Sequence, residues 1–241
     1  MRFSGQNVVI TGGASGIGLA TALAFHAEGA SVAVFDLQTA PVPLLSLTCD
    51  VSSEPSVSAA AEEAHARFDG PVHVLINAAG IAVRHRVEDE SVADWDRCFG
   101  VNVRGCFLAS KYLLPLMISN SSIVNVASVT GIVGVRNRAA YSSTKGAIVA
   151  LTRNMALDYA SAGIRVNCVC PGFVKTPLIA ALLQDPVRTA ALTNLHPLGR
   201  LGEAGDVAEA ILFLSSNAAS WITGQSLAVD GGFSVGCSVD I

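Results

Sequence analysis

The sequence predicts an α/β fold, a single doubly wound domain over residues 1–241 with a seven-stranded parallel sheet and helices on both faces. Two observations support this prediction. The chain is 51% apolar and only 14% charged, which suits a large buried core. Short apolar runs also alternate with longer helix-like segments, as in parallel strands joined by crossover helices. The predicted strands are Val8–Ile10, Ser31–Phe35, Leu44–Thr48, His73–Ile76, Ile123–Ala127, Ile164–Val169 and Gln225–Val229.

A glycine-rich turn follows the first predicted strand and leads into the first predicted helix. The run Thr11–Gly18 reads TGGASGIG. Gly12 permits a tight turn, Gly16 lets the backbone approach a phosphate, and Gly18 lets the helix and strand pack closely. Because the free N–H groups at the start of a helix attract anions, this turn predicts a site for the pyrophosphate of a dinucleotide.

Asp36 ends the second predicted strand and indicates which dinucleotide binds. A carboxylate at this point accepts hydrogen bonds from the adenosine ribose hydroxyls and repels a 2′-phosphate. Leu37 and Gln38 supply no cation for such a phosphate, so we expect NAD rather than NADP. Residues 38–43 contain two prolines, which leaves little room for a crossover helix before the third strand.

Small and polar residues follow the fourth predicted strand in the run Asn77–Gly80, which reads NAAG. The small side chains let the backbone approach a cofactor ribose, and Asn77 can stabilise neighbouring strand ends. Ligands of open α/β sheets bind outside the carboxyl ends of the strands. We therefore expect the glycine turn, Asp36, Asn77, Ser128 and Pro171 to lie along one edge of the sheet.

Ser128, Tyr141 and Lys145 form a candidate catalytic set. Tyr141 and Lys145 are four residues apart, so on a helix they lie on one face. A free tyrosine has a pKa of about 10, and a neighbouring ammonium favours the phenolate and lowers that pKa. Ser128 follows the fifth strand, where its hydroxyl can point into the ligand crevice. The set predicts proton transfer by Tyr141.

These motifs together resemble the classical short-chain dehydrogenase/reductase family, over essentially the whole chain. The resemblance implies a Rossmann-type fold and an NAD-dependent oxidoreductase that acts on CH–OH donors and assembles as a homotetramer. It implies catalytic roles for Asn102, Ser128, Tyr141 and Lys145, with Asn102 supporting the proton relay. The cofactor-binding residues that it implies are Gly12, Ser15, Gly16, Ile17, Gly18, Asp36, Leu37, Asp50, Val51, Asn77, Ala78, Ala79, Gly80, Tyr141, Lys145, Pro171, Gly172, Val174 and Thr176.

Two arginines just before Tyr141 suggest the substrate. The guanidinium groups of Arg136 and Arg138 suit a carboxylate, so we assign both to the substrate site together with Ser128 and Tyr141. A salt bridge between subunits, or a solvated loop charge, explains these arginines equally well.

Further resemblances within the family point to carboxylated alcohols. The stretches Val135–Arg138 and Asn167–Pro171 resemble cytosolic hydroxybutyrate and sugar-acid dehydrogenases. Phe3–Gly5, with the short second crossover, resembles dihydroxybenzoate dehydrogenases. We therefore favour a small hydroxy acid or sugar acid as the substrate. Residues 177–199 mix apolar residues with prolines and are typical of a substrate lid, and we expect His196 on its surface.

Three other functions remain open. A dehydrogenase for a neutral polyol, sugar or cyclic diol would keep every motif except the arginines. A 3-oxoacyl-carrier-protein reductase would act on a thioester, but Asp36 disfavours its usual NADP. A non-catalytic NAD-binding regulator would be expected to lose some of the four catalytic residues, and all four are present.

Composition argues against several other classes. A net charge of −4 without a run of Lys or Arg argues against a nucleic-acid partner. No apolar stretch reaches the length of a membrane span, and the first residues show no signal-peptide pattern. Six cysteines without a C-x-x-C pair and five histidines form no metal-ligand spacing. We therefore expect no metal, and a cytoplasmic protein with reduced thiols.

Overall fold

One parallel sheet organises the computed structural model, which describes residues 1–41 and 43–236. Its strands are β1 Asn7–Thr11, β2 Ser31–Asp36, β3 Leu45–Thr48, β4 Val72–Asn77, β5 Met117–Val126, β6 Arg165–Pro171 and β7 Ser226–Val229. Their order is β3-β2-β1-β4-β5-β6-β7, and every neighbouring pair is parallel. The strand order reverses between β1 and β4, where open α/β sheets bind ligands. The predicted fold class is confirmed.

Helices connect most of the strands. They are α1 Gly16–Ala27, α2 Glu54–Phe68, α3 Val92–Phe99, α4 Gly105–Leu113, α5 Ala139–Tyr159, α6 Ala180–Leu183, α7 Pro186–Asn194 and α8 Ala204–Ser215. A π-helical segment, Gly100–Arg104, joins α3 to α4 without a break. Short 3₁₀ turns cover Val87–Asp89, Leu114–Leu116, Val129–Gly131, Ala160–Ala162, Pro177–Ile179 and Asn217–Ala219.

The sheet has a separate apolar core on each face, because successive side chains of a strand point to opposite sides. Val8 and Ile10 of β1 face α1 and α8, where Phe25 and Ile211 are fully buried. Val9, between them, belongs to the other core, which α2, α4 and α5 cover. Both faces of the sheet are therefore covered, as a continuously apolar strand requires.

The connection between β2 and β3 contains no helix in its described residues, as predicted. Strand β3 pairs only with Ala33–Asp36, so the chain returns past four residues of β2. That distance is about 13 Å at about 3.3 Å per residue, which a short extended link covers.

Strand β5 differs from its prediction, since it starts at Met117 rather than Ile123. The added residues are mostly polar, so they lack the apolar run that marks a buried strand. The pairing with β4 also shifts register between Val72 and Val74, and Asn120 has a φ of 69°. Only the apolar second half of this strand forms a regular buried ladder.

Candidate active site

A cavity of about 420 Å³ opens along the carboxyl edge of the sheet. This volume lies within the range of small-molecule sites. All of the predicted cofactor-binding residues line the cavity except Asn77, and Ser128 and Arg138 line it as well. The structure thus brings the glycine turn and the Ser128–Tyr141–Lys145 set into one space.

The glycine turn is packed so tightly that side chains would not fit in it. Gly12 has a φ of 68°, and a Cβ added to it would lie 2.6 Å from the Cα of Ala79. A Cβ on Gly18 would lie 2.1 Å from the carbonyl oxygen of Gly12. Gly16 has a φ of 53° and opens α1, whose first N–H groups have no partner within the helix. This turn therefore suits the close approach of an anionic group to the backbone.

Asp36 is held at the end of β2 by backbone donors. Its Oδ2 accepts a hydrogen bond from the N–H of Ala14 at 3.0 Å, and its Oδ1 accepts from Gln38 at 3.0 Å. A carboxylate has about four acceptor positions, so these two bonds leave capacity for further donors. Asp36 lines the cavity, where its remaining acceptor positions are available to ligand hydroxyls.

Asn77 lies behind the cavity wall rather than in it. Its buried Nδ2 donates to Asn125 Oδ1 at 2.9 Å and to Ser110 Oγ at 3.2 Å, which ties the end of β4 to β5 and α4. The following N–H groups of Ala78 and Ala79 donate to Thr11 Oγ1 at 3.1 and 3.2 Å. The structure thus shows Asn77 supporting strand ends, and only the small residues after it face the cavity.

Ser128 follows β5 with its hydroxyl in a defined orientation. Its Oγ accepts hydrogen bonds from both the N–H and the hydroxyl of Thr130, each at 3.2 Å. A serine hydroxyl has two acceptor positions and one donor. With both acceptor positions occupied, the Ser128 O–H can only donate, either to the Tyr141 oxygen or to a ligand oxygen in the cavity. Thr130 was not among the predicted site residues. Its position two residues after Ser128 is typical of a turn in which a serine hydroxyl accepts from the backbone two residues further on.

Tyr141 and Lys145 lie on one face of α5, as their spacing predicts. Lys145 Nζ donates to the carbonyl oxygen of Val126 at 2.8 Å and lies 5.7 Å from the centre of the Tyr141 ring. Burial lowers the pKa of Lys145 to about 8. The ammonium is therefore held beside Tyr141 at the end of β5.

The pKa of Tyr141 departs from the expectation. Burial raises it above its usual value, and the strongest opposing effects come from the Ser128 hydroxyl and from the charge of Arg138. The sequence predicts a pKa lowered by Lys145, whereas the structure gives a pKa raised by desolvation. Because Tyr141 is buried, the loss of solvent outweighs the charges of the neighbouring arginines.

Asn102 lies in the π-helical segment and is 1% exposed. Its Oδ1 accepts from the N–H of Ile81 at 2.8 Å, and its Nδ2 donates to the carbonyl of Ile81 at 3.0 Å and to Thr144 Oγ1 at 3.0 Å. Thr144 in turn donates to the carbonyl of Tyr141 at 2.7 Å. Asn102 thus connects the loop after β4 to the helix that carries Tyr141. π-Bulges of this kind occur frequently at functional sites.

The two predicted substrate arginines have different surroundings. Arg138 is 8% exposed, lines the cavity and lies 5.7 Å from the centre of the Tyr141 ring. Arg136 is exposed and lies outside the cavity lining. Asn137 between them has a φ of 60°, which turns the chain so that only one arginine faces inward. The structure therefore does not place Arg136 at the substrate site.

The segment after β6 covers one end of the cavity. Val174, Thr176 and the turn Pro177–Ile179 line it, and helices α6 and α7 follow. His196 is 3% exposed, so the expectation of a surface position is wrong. Its Nε2 accepts from the N–H of Phe173 at 3.2 Å, because the end of this segment folds back onto the loop after β6.

Three possible metal-ligating side chains lie outside the cavity. Ligand atoms of His85, Glu90 and Asp94 lie within 4.8 Å of one another. The Asp94 carboxylate, however, already accepts from Arg97 at 2.7 Å and from the Ser91 hydroxyl at 3.0 Å. We therefore interpret Asp94 as part of the cap of α3, where the Ser91 hydroxyl also accepts from the Asp94 N–H at 3.0 Å.

Comparisons with known proteins agree with this geometry. The family model described as enoyl-(acyl carrier protein) reductase matches residues 12–234. The 2-(S)-hydroxypropyl-CoM dehydrogenase 3 of Xanthobacter autotrophicus is 41% identical, over 96% of this chain and 97% of its own length. The cis-4-hydroxycyclohexanecarboxylate dehydrogenase of Sinomonas cyclohexanicum is 42% identical over the same shares.

Solved structures show the same similarity. The ligand-free aldohexose dehydrogenase of Thermoplasma acidophilum superposes with a TM-score of 0.94 at 35% identity, covering 99% of this chain and 98% of that one.

Among the residues that the structure describes, no helix is long and apolar enough to cross a membrane. The chain belongs to the short-chain dehydrogenase/reductase family, whose members use a nicotinamide cofactor, and it is an oxidoreductase acting on CH–OH groups.

Proposed function

We propose that this protein interconverts a secondary alcohol and its ketone with NAD(H). The observation that carries the proposal is the shared cavity, in which Ser128, Tyr141 and Lys145 lie with the glycine turn and Asp36. The nicotinamide cofactor, when bound, accepts or donates the hydride. The tight packing around Gly12 and Gly18 supports binding of its pyrophosphate there.

NAD is preferred over NADP because of Asp36. Its carboxylate is fixed by Ala14 and Gln38 and faces the cavity, where it would accept from ribose hydroxyls and repel a 2′-phosphate. The next residue, Leu37, is exposed and apolar and offers no cation to a phosphate. The same argument disfavours the 3-oxoacyl-carrier-protein reductase with its usual NADP.

In oxidation, the phenolate oxygen of Tyr141 takes the O–H proton of the alcohol, and the hydride that leaves the carbon would pass to the bound cofactor. Ser128 donates its O–H to the same substrate oxygen. Lys145 places a positive charge beside Tyr141 and would help to hold the nicotinamide ribose. In reduction, Tyr141 returns the proton to the developing alkoxide.

Asn102 supports the proton relay from Lys145. A Cβ on Gly80 would lie 3.3 Å from Asn102 Oδ1 and 3.5 Å from Lys145 Nζ, so both polar groups approach the same point. With its burial-lowered pKa of about 8, Lys145 exchanges protons readily near neutral pH. Asn102 also fixes the backbone of Ile81 beside this point.

Residues 177–199 form a lid over the bound substrate. Two classes of substrate are candidates for this site. A small hydroxy acid or sugar acid is favoured by the inward guanidinium of Arg138. A neutral polyol or sugar is the second candidate, since a similar structure is that of an aldohexose dehydrogenase. We also propose, from the family resemblance, a cytoplasmic homotetramer.

Initial rates of cofactor reduction test this proposal. The panel contains hydroxy acids, neutral polyols and cyclic diols, each offered with NAD and with NADP. We expect turnover of at least one class with NAD. Absence of turnover with every alcohol in the panel, or a clear preference for NADP, would contradict the proposal.

A further inference from the structure

Arg138 is a buried cation at the wall of the cavity. It is 8% exposed, and its side chain makes no salt bridge and no hydrogen bond within the described ranges 1–41 and 43–236. Arg165 provides a contrast, because its guanidinium donates to the carbonyls of Leu214, Ile222 and Ser216. The guanidinium of Arg138 instead lines the cavity beside Tyr141.

A second arginine adds to this positive charge. Arg84, in the loop after β4, lies close enough for its charge to lower the pKa of Arg138, which burial already lowers. Its Nη2 donates to the carbonyl of Leu178, at the start of the proposed lid, at 3.2 Å. Its Nε is buried without a hydrogen-bond partner in the part of the chain that is described.

Within residues 1–41 and 43–236, no carboxylate forms an ion pair with either guanidinium group. Burial and the charge of Arg84 lower the pKa of Arg138, and Tyr141 raises it. An unpaired buried charge is costly, and two like charges close together add to that cost. An anion bound in the cavity would offset this electrostatic cost.

We propose that Arg138 binds a carboxylate of the substrate and that Arg84, behind it, supplies the second positive charge. This proposal rests on the proposed function and narrows it to a hydroxy acid. A guanidinium matches the planar carboxylate with two parallel hydrogen bonds. Arg84 also anchors Leu178, which lines the cavity, so the anion subsite lies where the lid begins.

The test compares 3-hydroxybutanoate with its neutral amide as substrates of the full-length protein. In Arg138→Gln, the ratio of kcat/KM for the acid to that for the amide should fall about 10- to 100-fold. Arg84→Gln should lower the same ratio by a smaller factor. Arg136→Gln and Arg86→Gln remove exposed arginines of the same two loops and should leave the ratio unchanged.

Binding of butanoate, which cannot be oxidised as an alcohol, provides a readout without turnover. Calorimetry with NAD present should show binding to the wild type and to Arg136→Gln but not to Arg138→Gln, with Arg138→Lys intermediate. Circular dichroism verifies that each variant is folded. If Arg138→Gln does not fold, Arg138→Lys replaces it in both measurements.

Two results would overturn the anion subsite. One is equal binding of butanoate and butanamide to the wild type. The other is an acid-to-amide ratio equal to that of the wild type in a folded Arg138→Gln variant, or in Arg138→Lys if the glutamine variant does not fold. Arg138-dependent butanoate binding without any oxidation of alcohols would instead uphold the subsite and overturn the proposed function.

Discussion

Lys145 donates a hydrogen bond to the carbonyl oxygen of Val126 at 2.8 Å and thereby anchors α5 to the end of β5. The same burial that permits this bond lowers the pKa of Lys145 to about 8. The ammonium needed beside Tyr141 is therefore maintained at a cost to stability, as is common at functional sites.

Replacing Lys145 with methionine should remove a pH-dependent part of this stability. The folded pKa of about 8 is below the ordinary value of 10.5, so between these values the unfolded chain binds the extra proton and wild-type stability rises with pH. The unfolding free energy of the wild type, relative to Lys145→Met, should therefore increase by roughly 2–3 kcal/mol from pH 8 to pH 10. Urea unfolding at several pH values measures this difference. A constant difference would show that the lysine titrates normally.

The rate of alcohol oxidation should rise with pH. Because burial raises the pKa of Tyr141, the phenolate fraction of the free enzyme is small at neutral pH and grows toward alkaline pH. The positive charge of Arg138 opposes this effect, so the acidic limb of the kcat/KM profile should move to higher pH in Arg138→Gln. A neutral alcohol is used for this profile, which separates the charge effect from carboxylate binding. An unshifted limb in the variant would refute this coupling.

The Asp36→Ser variant should lose the preference for NAD. Removing the carboxylate removes its repulsion of a 2′-phosphate, and the ratio of kcat/KM for NAD to NADP should fall about 100-fold. The absolute affinity should fall as well, since the bonds from Ala14 and Gln38 are lost. Asp96→Ser, at an exposed position of α3, is the matched control. An unchanged ratio would show that Asp36 does not determine the preference for NAD over NADP.

The Gly18→Ala variant should weaken both cofactor binding and the fold. Its Cβ would lie 2.1 Å from the carbonyl oxygen of Gly12, so the backbone of the turn must shift, at a cost of roughly 1–3 kcal/mol. Gly205→Ala is the control, because nothing lies within 4 Å of its Cβ and alanine favours a helix. Thermal unfolding with and without NAD separates the two effects. Equal melting temperatures and NAD shifts in Gly18→Ala and wild type would contradict the packing argument.

The fold was predictable because each buried strand is a short apolar run. The site was predictable in part because the candidate binding and catalytic residues directly follow these runs. Placement of Gly12, Asp36 and Ser128 at one sheet edge follows from parallel strand direction alone. The polar start of β5 at Met117 was not predictable, since its pairing depends on the neighbouring strand β4.

Side-chain burial in loops was not predictable from sequence. Arg136 and Arg138 are equivalent in sequence, and the positive φ of Asn137 separates their directions. His196 is buried because its segment folds back onto Phe173. Arg84 carries no sequence signal beyond a position shortly after Asn77–Gly80. These contacts join segments far apart in the chain.

The most direct test of the central claim is the rate of hydride transfer in Tyr141→Phe, measured in a single turnover with NAD and the best alcohol found. Calorimetric NAD binding shows whether the cofactor site is intact. We expect a loss of roughly 100- to 10,000-fold with NAD affinity retained, because phenylalanine keeps the ring and removes the proton carrier. A transfer rate close to that of the wild type would contradict the assignment of Tyr141.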